Sequence, residues 1–511
     1  MTGLIFWLVA APLLASALIL ILPKLGAQVY RSVALLGAVV SLVLALVAWE
    51  GFQTDAQGFQ FVSNLHWFTF PNLWIGHDLA VALSFGVDGL SLPLATLAIV
   101  VTLLAMLSVK PHLERAREYF FWLSLVSAGL YGVFTALDIF TFLLALELTL
   151  FSTFFLIYLF GGPGRRQAAF KFLIYRGTAT VFLLIALIGI AYEAAGGFGA
   201  SVPATVPGFN IPVLLAVLHN PAAAAGFPVA VKSALFLVLL LAVFIEEAFV
   251  PFHTWLPTTH EQADTPTNMI IGGVLTKTGA YVLLRFGVGL LPAQVQHWGF
   301  LIAIFGVINI VYGALAAWAQ QDWRRLIAFG SISHMGLVLL GIAAFNSAGL
   351  QGAMFMLVSS GLLTAMLFYL TGAMADRTLT NDLERLGGLS KQMPMLSGFL
   401  LLAALGSLGL PLTSGFISEI QSFIGGFGTY PAVSFVGALG LILSAVYLLY
   451  AIQRTTFGPI ATEYSSLTDA RPIEYVPIVV LTALVLLVGV YPAVLGNLFG
   501  PSVHALLGIG G

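Results

Sequence analysis

Fourteen apolar runs, each long enough to cross a lipid bilayer, constrain the fold of this 511-residue chain more than any other feature. A transmembrane helix needs about 20 apolar residues. Charged residues make up only 8% of the chain, against about 25% in soluble domains, which excludes a soluble globular protein. The sequence therefore predicts an all-α polytopic membrane protein, whose spans we number 1 to 14. They are residues 4–23, 30–50, 84–109, 118–136, 138–160, 169–194, 231–256, 266–289, 297–319, 324–345, 348–374, 394–425, 431–455 and 474–497.

The basic residues alternate between the two sides of the predicted bundle. Of 19 Lys and Arg residues, fifteen lie in or beside the loops after spans 1, 3, 5, 9, 11 and 13. The positive-inside rule makes these loops cytoplasmic and turns both termini outward. The first span begins at Leu4 without a basic leader, so we expect it to be retained rather than cleaved. The aromatic-rich segment 51–83 is predicted to lie along the outer membrane interface.

Several kinds of chemistry are excluded by what the sequence lacks. The chain has no cysteine, which excludes disulfides, thiolate metal sites and cysteine-ligated clusters. It contains no Walker-type nucleotide loop, no dinucleotide fingerprint in a βα context and no metal-ligand cluster. The sequence has no cluster of Lys and Arg residues that would indicate nucleic-acid binding. We therefore expect neither a metal nor a cofactor on this chain, and any redox energy has to come from partner subunits.

Ionisable side chains nevertheless occur inside the predicted spans. A lysine at the centre of a span costs at least ~2.5–3.5 kcal/mol, so such groups face a partner or water, and a water-bridged file of them is typical of a proton path. A structural alternative is a set of ion pairs that hold helices together, but groups on so many spans favour transport. The candidate proton carriers are Glu147 (span 5), Glu246 (span 7), Lys277 (span 8), His334 (span 10) and Glu419 (span 12).

Four further residues are candidate modulators of this path. They are Arg176 in span 6, Glu247 and His253 in span 7, and Lys232 near the outer end of span 7. Adjacent helical residues point about 100° apart, so only one of Glu246 and Glu247 is predicted to be the functional acid. Lys232 and Arg285 lie near span ends, where long side chains reach the interface.

Two spans carry helix breakers close to a buried acid. Pro251 is predicted to interrupt span 7 and Pro257 to stop it, while Pro411 and Gly415 are predicted to interrupt span 12. Paired broken spans at corresponding positions point to inverted repeats around a midplane ion site. We therefore expect one membrane domain over residues 1–511. It would comprise N-terminal spans (1–110), two inverted five-helix units (118–289 and 297–455, spans 4–8 and 9–13) and a last span (474–497).

The segment 251–286, PFHTWLPTTHEQADTPTNMIIGGVLTKTGAYVLLRF, resembles the signature of the antiporter-like subunits of respiratory complex I (NADH:quinone oxidoreductase), and most of all the M-type, or subunit 4, family. Four more stretches match it in order: FGVDGLSLPL (85–94), LELTLFSTFFLIYLFGG (146–162), RRLIAFGSISHMG (324–336) and LGLPLTSGFISEI (408–420). The resemblance places the family's proton-transfer residues on Glu147, Lys277 and Glu419.

The resemblance also implies a function and a setting. Such a subunit translocates protons, coupled to quinone reduction elsewhere in the complex, and belongs to an enzyme only as a subunit. It implies L-, N- and K-type membrane partners, with quinone, flavin and Fe–S clusters in partner subunits. A multi-pass location in the bacterial inner (plasma) membrane follows.

The chain departs from the family in span 7 and in span 11. Glu246 stands where the family carries a lysine, Ala248 where it carries a proline, and Ser360 where it carries a histidine. We hypothesise that Arg176 replaces the missing cation, approaching Glu147 or Glu246. Arginine stays protonated, so it could bias these acids but not relay protons. Two alternatives remain: a subunit of a cation/proton antiporter or membrane-bound hydrogenase, and a non-pumping membrane scaffold.

Overall fold

A computed structural model describes residues 3–54, 56, 58–74, 77–110, 113–195, 208–219, 227–460 and 462–508. Within them, eleven helices are long and apolar enough to cross a membrane, and three apolar helices are shorter. The helices are α1 Leu4–Ile21, α2 Ala27–Gly51, α3 Ser91–Leu107, α4 Ala116–Thr135, α5 Ile139–Phe160, α6 Arg165–Ala194, α7 Ile211–His219, α8 Val229–Glu246, α9 Trp255–Gln262, α10 Thr265–Gly273, α11 Thr278–Val282, α12 Pro292–Trp318, α13 Trp323–Ala344, α14 Ser347–Thr378, α15 Pro394–Ser407, α16 Ser414–Thr429, α17 Pro431–Thr456, α18 Tyr475–Val490 and α19 Ala493–Leu507. Apart from one hairpin, these described residues form an all-helical multi-pass bundle.

That hairpin was not predicted from the sequence. Strands β1 (Gln60–Trp74) and β2 (His77–Val87) pair antiparallel, with Leu65 opposite Leu83. The segment is rich in aromatic and β-branched residues, which favour strands. Span 3 consequently begins at Ser91 and not at residue 84, because residues 77–87 belong to β2.

The centre of the bundle consists of three helical stretches, Thr265–Val288, Trp323–Ala344 and Ser347–Thr378, each of which is fully buried over an 18-residue segment. These stretches contain Lys277 and His334, two of the predicted carriers. The outer helices bury only part of their surface, as expected for helices that face lipid or neighbouring subunits. The ionisable centre is therefore shielded by protein on all sides of spans 8, 10 and 11.

Span 7 is broken, but earlier than its prolines suggest. Helix α8 ends at Glu246, and Ala248 adopts a left-handed conformation (φ 58°). The Phe249 N–H then donates to the Phe244 carbonyl at 2.9 Å, which closes a Schellman-type helix end. Pro251 follows this end and does not cause it. The predicted stop at Pro257 is wrong, since α9 continues past it to residue 262 and proline is tolerated in a first helical turn.

Span 12 ends its first half in the same way. Gly409 is left-handed (φ 77°), and the Leu410 N–H donates to the Leu405 carbonyl at 2.9 Å. The non-helical residues are 408–413, which include Pro411. The prediction that Gly415 interrupts the span is wrong, because Gly415 lies in the first turn of α16. The two broken spans thus share one backbone motif.

A third break, in span 8, was not predicted. The helix is interrupted at Val274 (φ −132°, ψ −51°), and the chain passes through a single 3₁₀ turn, Leu275–Lys277, before α11. A π-helical segment, Leu283–Val288, follows. Such irregular turns often mark functional positions in helices, and this one carries the central lysine.

One local arrangement recurs five spans apart. Asp138 and Asp322 cap α5 and α13, each accepting a hydrogen bond from the second residue of its helix at 2.9 and 2.8 Å. Each aspartate also forms an isolated antiparallel β-bridge with a loop residue further along the chain. Asp138 pairs with Asn210, which follows α6, and Asp322 pairs with Asp382, which follows α14. The same cap and the same bridge therefore open spans 5 and 10.

Candidate functional site

The breaks in spans 7 and 8 meet at Gly279. A Cβ at this position would lie 2.7 Å from Glu247 Oε2 and 3.3 Å from Glu246 Cβ. Such distances leave no room for a side chain, so glycine lets the two acids pack against the span 8 backbone. This contact brings the acids of span 7 beside the first turn of α11, directly after Lys277.

Arg176 and Glu246 form an ion pair inside the bundle. The two residues are 1% and 3% exposed, and Arg176 Nη2 pairs with Glu246 Oε1. Arg176 Nη1 also donates to the Glu246 carbonyl at 3.4 Å, a carbonyl left without an intrahelical partner where α8 ends. The guanidinium lies 5.7 and 5.9 Å from the ring centroids of Phe172 and Trp255. The contact hypothesised from sequence is thus present.

Glu147 lies at the edge of this pair. Its side chain on α5 is half-buried, and the charge of Arg176 acts on it, with the Thr180 hydroxyl beside it. Within the described part of the chain it makes no salt bridge. Arg176 therefore interacts with the acids of both span 5 and span 7, but its direct contact is with Glu246.

Glu247 and Lys277 form a second, looser pair. Glu247 is 1% exposed, and its Oε2 accepts the Ala280 N–H at 3.1 Å. Lys277 is completely buried and donates to the Gly272 carbonyl at 2.9 Å and to Thr276 Oγ1 at 3.2 Å. Each charge acts on the other, although neither side chain donates to or accepts from the other directly.

His334 is close enough to Lys277 for the two to interact electrostatically. The histidine on α13 is 6% exposed and contacts the backbone of Ser407 at the end of α15, and the Lys277 charge acts on it. Its Nε2 has no hydrogen-bond partner among the described residues, and the same holds for the buried hydroxyls of Ser331 and Ser360. The centre of the bundle therefore contains polar atoms that other protein groups leave unpaired.

Glu419 ends the series at the break of span 12. It is 6% exposed, and a Cβ at Gly409 would collide with its carboxylate. It forms no salt bridge with a described residue. Tyr447, on α17, is close enough to interact with the Glu419 charge, and a Cβ at Gly330 would lie 2.7 Å from its hydroxyl. Sequence reasoning missed Tyr447, since a tyrosine in an apolar span carries no distinguishing signal.

The structure does not bring all predicted residues into this series. His253 lies to one side, with Nε2 3.1 Å from the Tyr312 hydroxyl. Lys232 is half-buried, with its ammonium 5.1 Å from the Phe227 ring centroid. The expectation that Arg285 reaches the interface is wrong. Arg285 is 4% exposed and binds both carboxylate oxygens of Asp88 at 2.7 Å, because the hairpin and the start of α3 cover it.

Metal ligation finds no support in the part of the chain that the structure describes. No three His, Asp or Glu side chains come together there as a ligand group. The buried ionisable groups instead form a series of carboxylates, a lysine and a histidine, arranged along the breaks of spans 7, 8 and 12. Carboxylates, lysine and histidine can exchange protons inside a membrane protein. Arg176, which lies beside them, stays protonated.

The chain is similar to known proteins over most of its length. Residues 136–446 match the family described as NADH:quinone oxidoreductase/Mrp antiporter, transmembrane. NAD(P)H-quinone oxidoreductase chain 4 3 of Picosynechococcus sp. is 34% identical, with 98% of this chain and 93% of the relative covered. Chain 4 1 of Synechococcus elongatus is 36% identical, over 99% and 91%.

Solved structures show the same fold. A chain of respiratory complex I from Thermus thermophilus superposes with a TM-score of 0.84 at 26% identity, covering 99% of this chain and 100% of that one. A chain of the Mrp complex from Dietzia sp. has a TM-score of 0.81 at 20% identity, covering 99% and 97%, which shows the fold alone. By its match over more than half its length and its near full-length relatives, the chain belongs to the NADH:quinone oxidoreductase/Mrp antiporter transmembrane family.

Proposed function

We propose that this chain is a proton-translocating, antiporter-like subunit of a complex I-type NAD(P)H (or other donor):quinone oxidoreductase. The observation that carries the proposal is the set of buried protonatable groups at three helix breaks, which includes Lys277, His334 and Glu419, with half-buried Glu147 at its edge. Near full-length relatives named chain 4 of NAD(P)H-quinone oxidoreductases support the choice of complex.

Protons move along this series between side chains and water. Buried polar atoms are normally paired by protein or by water, and a buried water makes about three hydrogen bonds. Glu246 Oε2, Glu247 Oε1 and His334 Nε2 have no partner among the described residues, so water is expected to bridge them. One carboxyl of the Glu246–Glu247 pair serves as the acid of span 7, Lys277 and His334 act at the centre, and Glu419 acts toward the exit.

The assembly and its setting are part of the same proposal. Neighbouring membrane subunits of L-, N- and K-type cover the exposed apolar faces, and other subunits hold the quinone, flavin and Fe–S clusters. The chain lies in a bacterial plasma membrane with both termini outside. The repeated aspartate caps at Asp138 and Asp322 and the matching ends of α8 and α15 support a division into two inverted five-helix units, 118–289 and 297–455.

A subunit of a cation/proton antiporter is the second candidate, and its support is the Mrp superposition, which concerns fold only. The two candidates differ in their partners. Purification of the complex through a tag on this chain, followed by mass spectrometry, separates them: quinone-oxidoreductase subunits are expected, and a set containing only small antiporter subunits would contradict the proposal.

Pumping is tested on the purified complex in liposomes. The number of protons moved per electron pair is measured for Lys277→Met and Glu419→Gln, with Glu463→Gln, an exposed loop acid, as the matched control. Both buried substitutions are expected to lower the ratio, since each removes a protonatable group from the series, whereas the control keeps it. If neither buried substitution changes the ratio, the chain is a scaffold.

A further inference from the structure

We propose that Glu247, and not Glu246, is the carboxyl of span 7 that exchanges protons with Lys277, and that Arg176 and Glu246 form a fixed positioning pair. This inference rests on the proposed function and assigns roles within the same site. Sequence position alone favours Glu246, because it replaces the lysine expected there. The contacts favour its neighbour.

Glu246 is already committed to a permanent charge. Its Oε1 pairs with Arg176 Nη2 and accepts the Thr278 hydroxyl at 3.2 Å. Arginine does not deprotonate in proteins, so a proton on Glu246 would leave a buried guanidinium without the one carboxylate that directly contacts it among the described residues. Such an unpaired buried charge is strongly unfavourable. Glu246 therefore stays anionic while Arg176 is present, and the pair keeps one net charge state.

Glu247 has the opposite surroundings. One oxygen is fixed by the Ala280 N–H at 3.1 Å, and the other, Oε1, is buried without a partner. The charged groups that act on it are Lys277, Glu246 and Arg176. Among the described residues, the carboxylate that acts on Lys277 is Glu247. The lysine ammonium has three donors, of which two are used within span 8.

The step that follows keeps atoms and charge balanced. The Lys277 ammonium releases one proton, which reaches Glu247 Oε1 directly or through one bridging water. An ammonium and a carboxylate thereby become an amine and a carboxylic acid, and the total charge of the pair stays zero. Because desolvation disfavours both charged forms, the charged and neutral pairs come close in free energy. A small change in a neighbouring charge can therefore move the proton in either direction.

The two breaks hold this geometry. Glu247 caps the end of α8, with its N–H donating to the Val243 carbonyl at 2.9 Å, and Lys277 ends the 3₁₀ turn at the break of span 8. Arg176 binds the Glu246 side chain and its carbonyl together, which fixes the rotation of α8 about its axis. That rotation directs the next side chain, Glu247, toward Lys277. Arg176 and Glu246 are therefore positioning residues.

The test uses the assembled complex in liposomes, with protons per electron pair measured across a pH series. Glu247→Gln is compared with the charge-neutral double variant Arg176→Gln/Glu246→Gln, and Glu463→Gln is the control. Glu247→Gln is expected to lower the ratio as far as Lys277→Met does, and Glu247→Asp to restore part of it. The double variant is expected to yield less assembled complex. The complex that does assemble is expected to move more protons per electron pair than Glu247→Gln.

Infrared difference spectra supply a second readout that a structural role would not change. The protonated-carboxyl C=O band that appears on turnover is expected to be lost in Glu247→Gln and kept in the double variant. The inference is overturned if Glu247→Gln pumps like the control, or if the band is lost in the double variant alone. If Lys277→Met and Glu419→Gln also pump like the control, the proposed function fails together with the inference.

Discussion

Replacing Arg176 by leucine removes the cation of the buried pair and leaves the Glu246 carboxylate facing a low-dielectric interior. We expect the end of α8 to open far more readily in this variant. Both residues are almost completely buried, so water cannot take over the role of the guanidinium without entering the bundle. The substitution also removes the donor at 3.4 Å from the Glu246 carbonyl.

The size of the effect follows from the geometry. Two unit charges about 4 Å apart attract by about 4 kcal/mol at an effective dielectric constant of about 20. Removing one partner of a buried pair costs about 3–5 kcal/mol in measured cases, which agrees with that figure. Since about 1.4 kcal/mol is a tenfold change in an equilibrium constant, local opening should increase by about 2 to 3.5 orders of magnitude.

Amide hydrogen exchange of the purified complex measures this opening, because exchange reports the free energy of local unfolding. Protection is compared over the last turns of α8 in wild type, Arg176→Leu and the double variant Arg176→Leu/Glu246→Leu. Arg166→Leu on the first turn of the same helix α6 is the control, since Arg166 is exposed. The double variant should regain much of the lost protection, as it buries no unpaired charge.

Two results would refute this reasoning. Protection in Arg176→Leu that matches the exposed control would show that the ion pair does not hold α8. A double variant with no more protection than Arg176→Leu would show that the unpaired Glu246 carboxylate is not what opens the end of α8.

Three other substitutions test separate parts of the structure. Gly409→Ala should lower the free energy of unfolding by at least about 1–2 kcal/mol, because the residue is left-handed, and should displace the Glu419 carboxylate. Both the thermal stability of the complex and the number of protons moved per electron pair should therefore fall. An unchanged proton ratio would contradict the placement of Glu419. Asp88→Asn should cost about 3–5 kcal/mol, because it leaves buried Arg285 unpaired, and hydrogen exchange over residues 60–87 should rise selectively. Burial raises the pKa of Asp322 above its ordinary value, against the opposing effect of the backbone hydrogen bonds and of a neighbouring arginine charge. The folded state then binds more protons than the unfolded state, so stability should fall as pH rises from about 4 through the folded pKa. Thermal unfolding measured across a pH series tests this. Asp322→Asn, which keeps a side chain that can cap the helix, should abolish the fall.

Much of the site was predictable from residue type and position alone. A charged side chain within an apolar run is conspicuous, which is why Glu147, Lys277 and Glu419 could be named without coordinates. The contact between Arg176 and Glu246 was also predictable, because a cation on span 6 and an anion on span 7 lie at similar depth in the membrane. What residue type could not tell was which of two adjacent glutamates faces the lysine, since that depends on the rotation of α8.

Proline positions misled the prediction of the breaks for a physical reason. A proline marks a place where a helix cannot continue normally, but the end of α8 is formed by a left-handed Ala248, three residues earlier. The break at Val274 follows Gly272 and Gly273, but glycines also occur within the uninterrupted helices of this chain, so these two did not distinguish a break. The burial of Arg285 was likewise hidden, because its partner Asp88 lies almost two hundred residues away in sequence.

The sequence by itself determined that this chain is a helical membrane protein with ionisable groups at its centre, because the hydrophobic effect and the cost of burying charge act on each segment separately. Only the tertiary structure decided which groups face one another: Arg176 with Glu246, Glu247 with Lys277, and Glu419 with the backbone at Gly409. These pairings depend on helix rotation and on where each span breaks. Both are fixed by packing between segments distant in sequence, which no local pattern encodes.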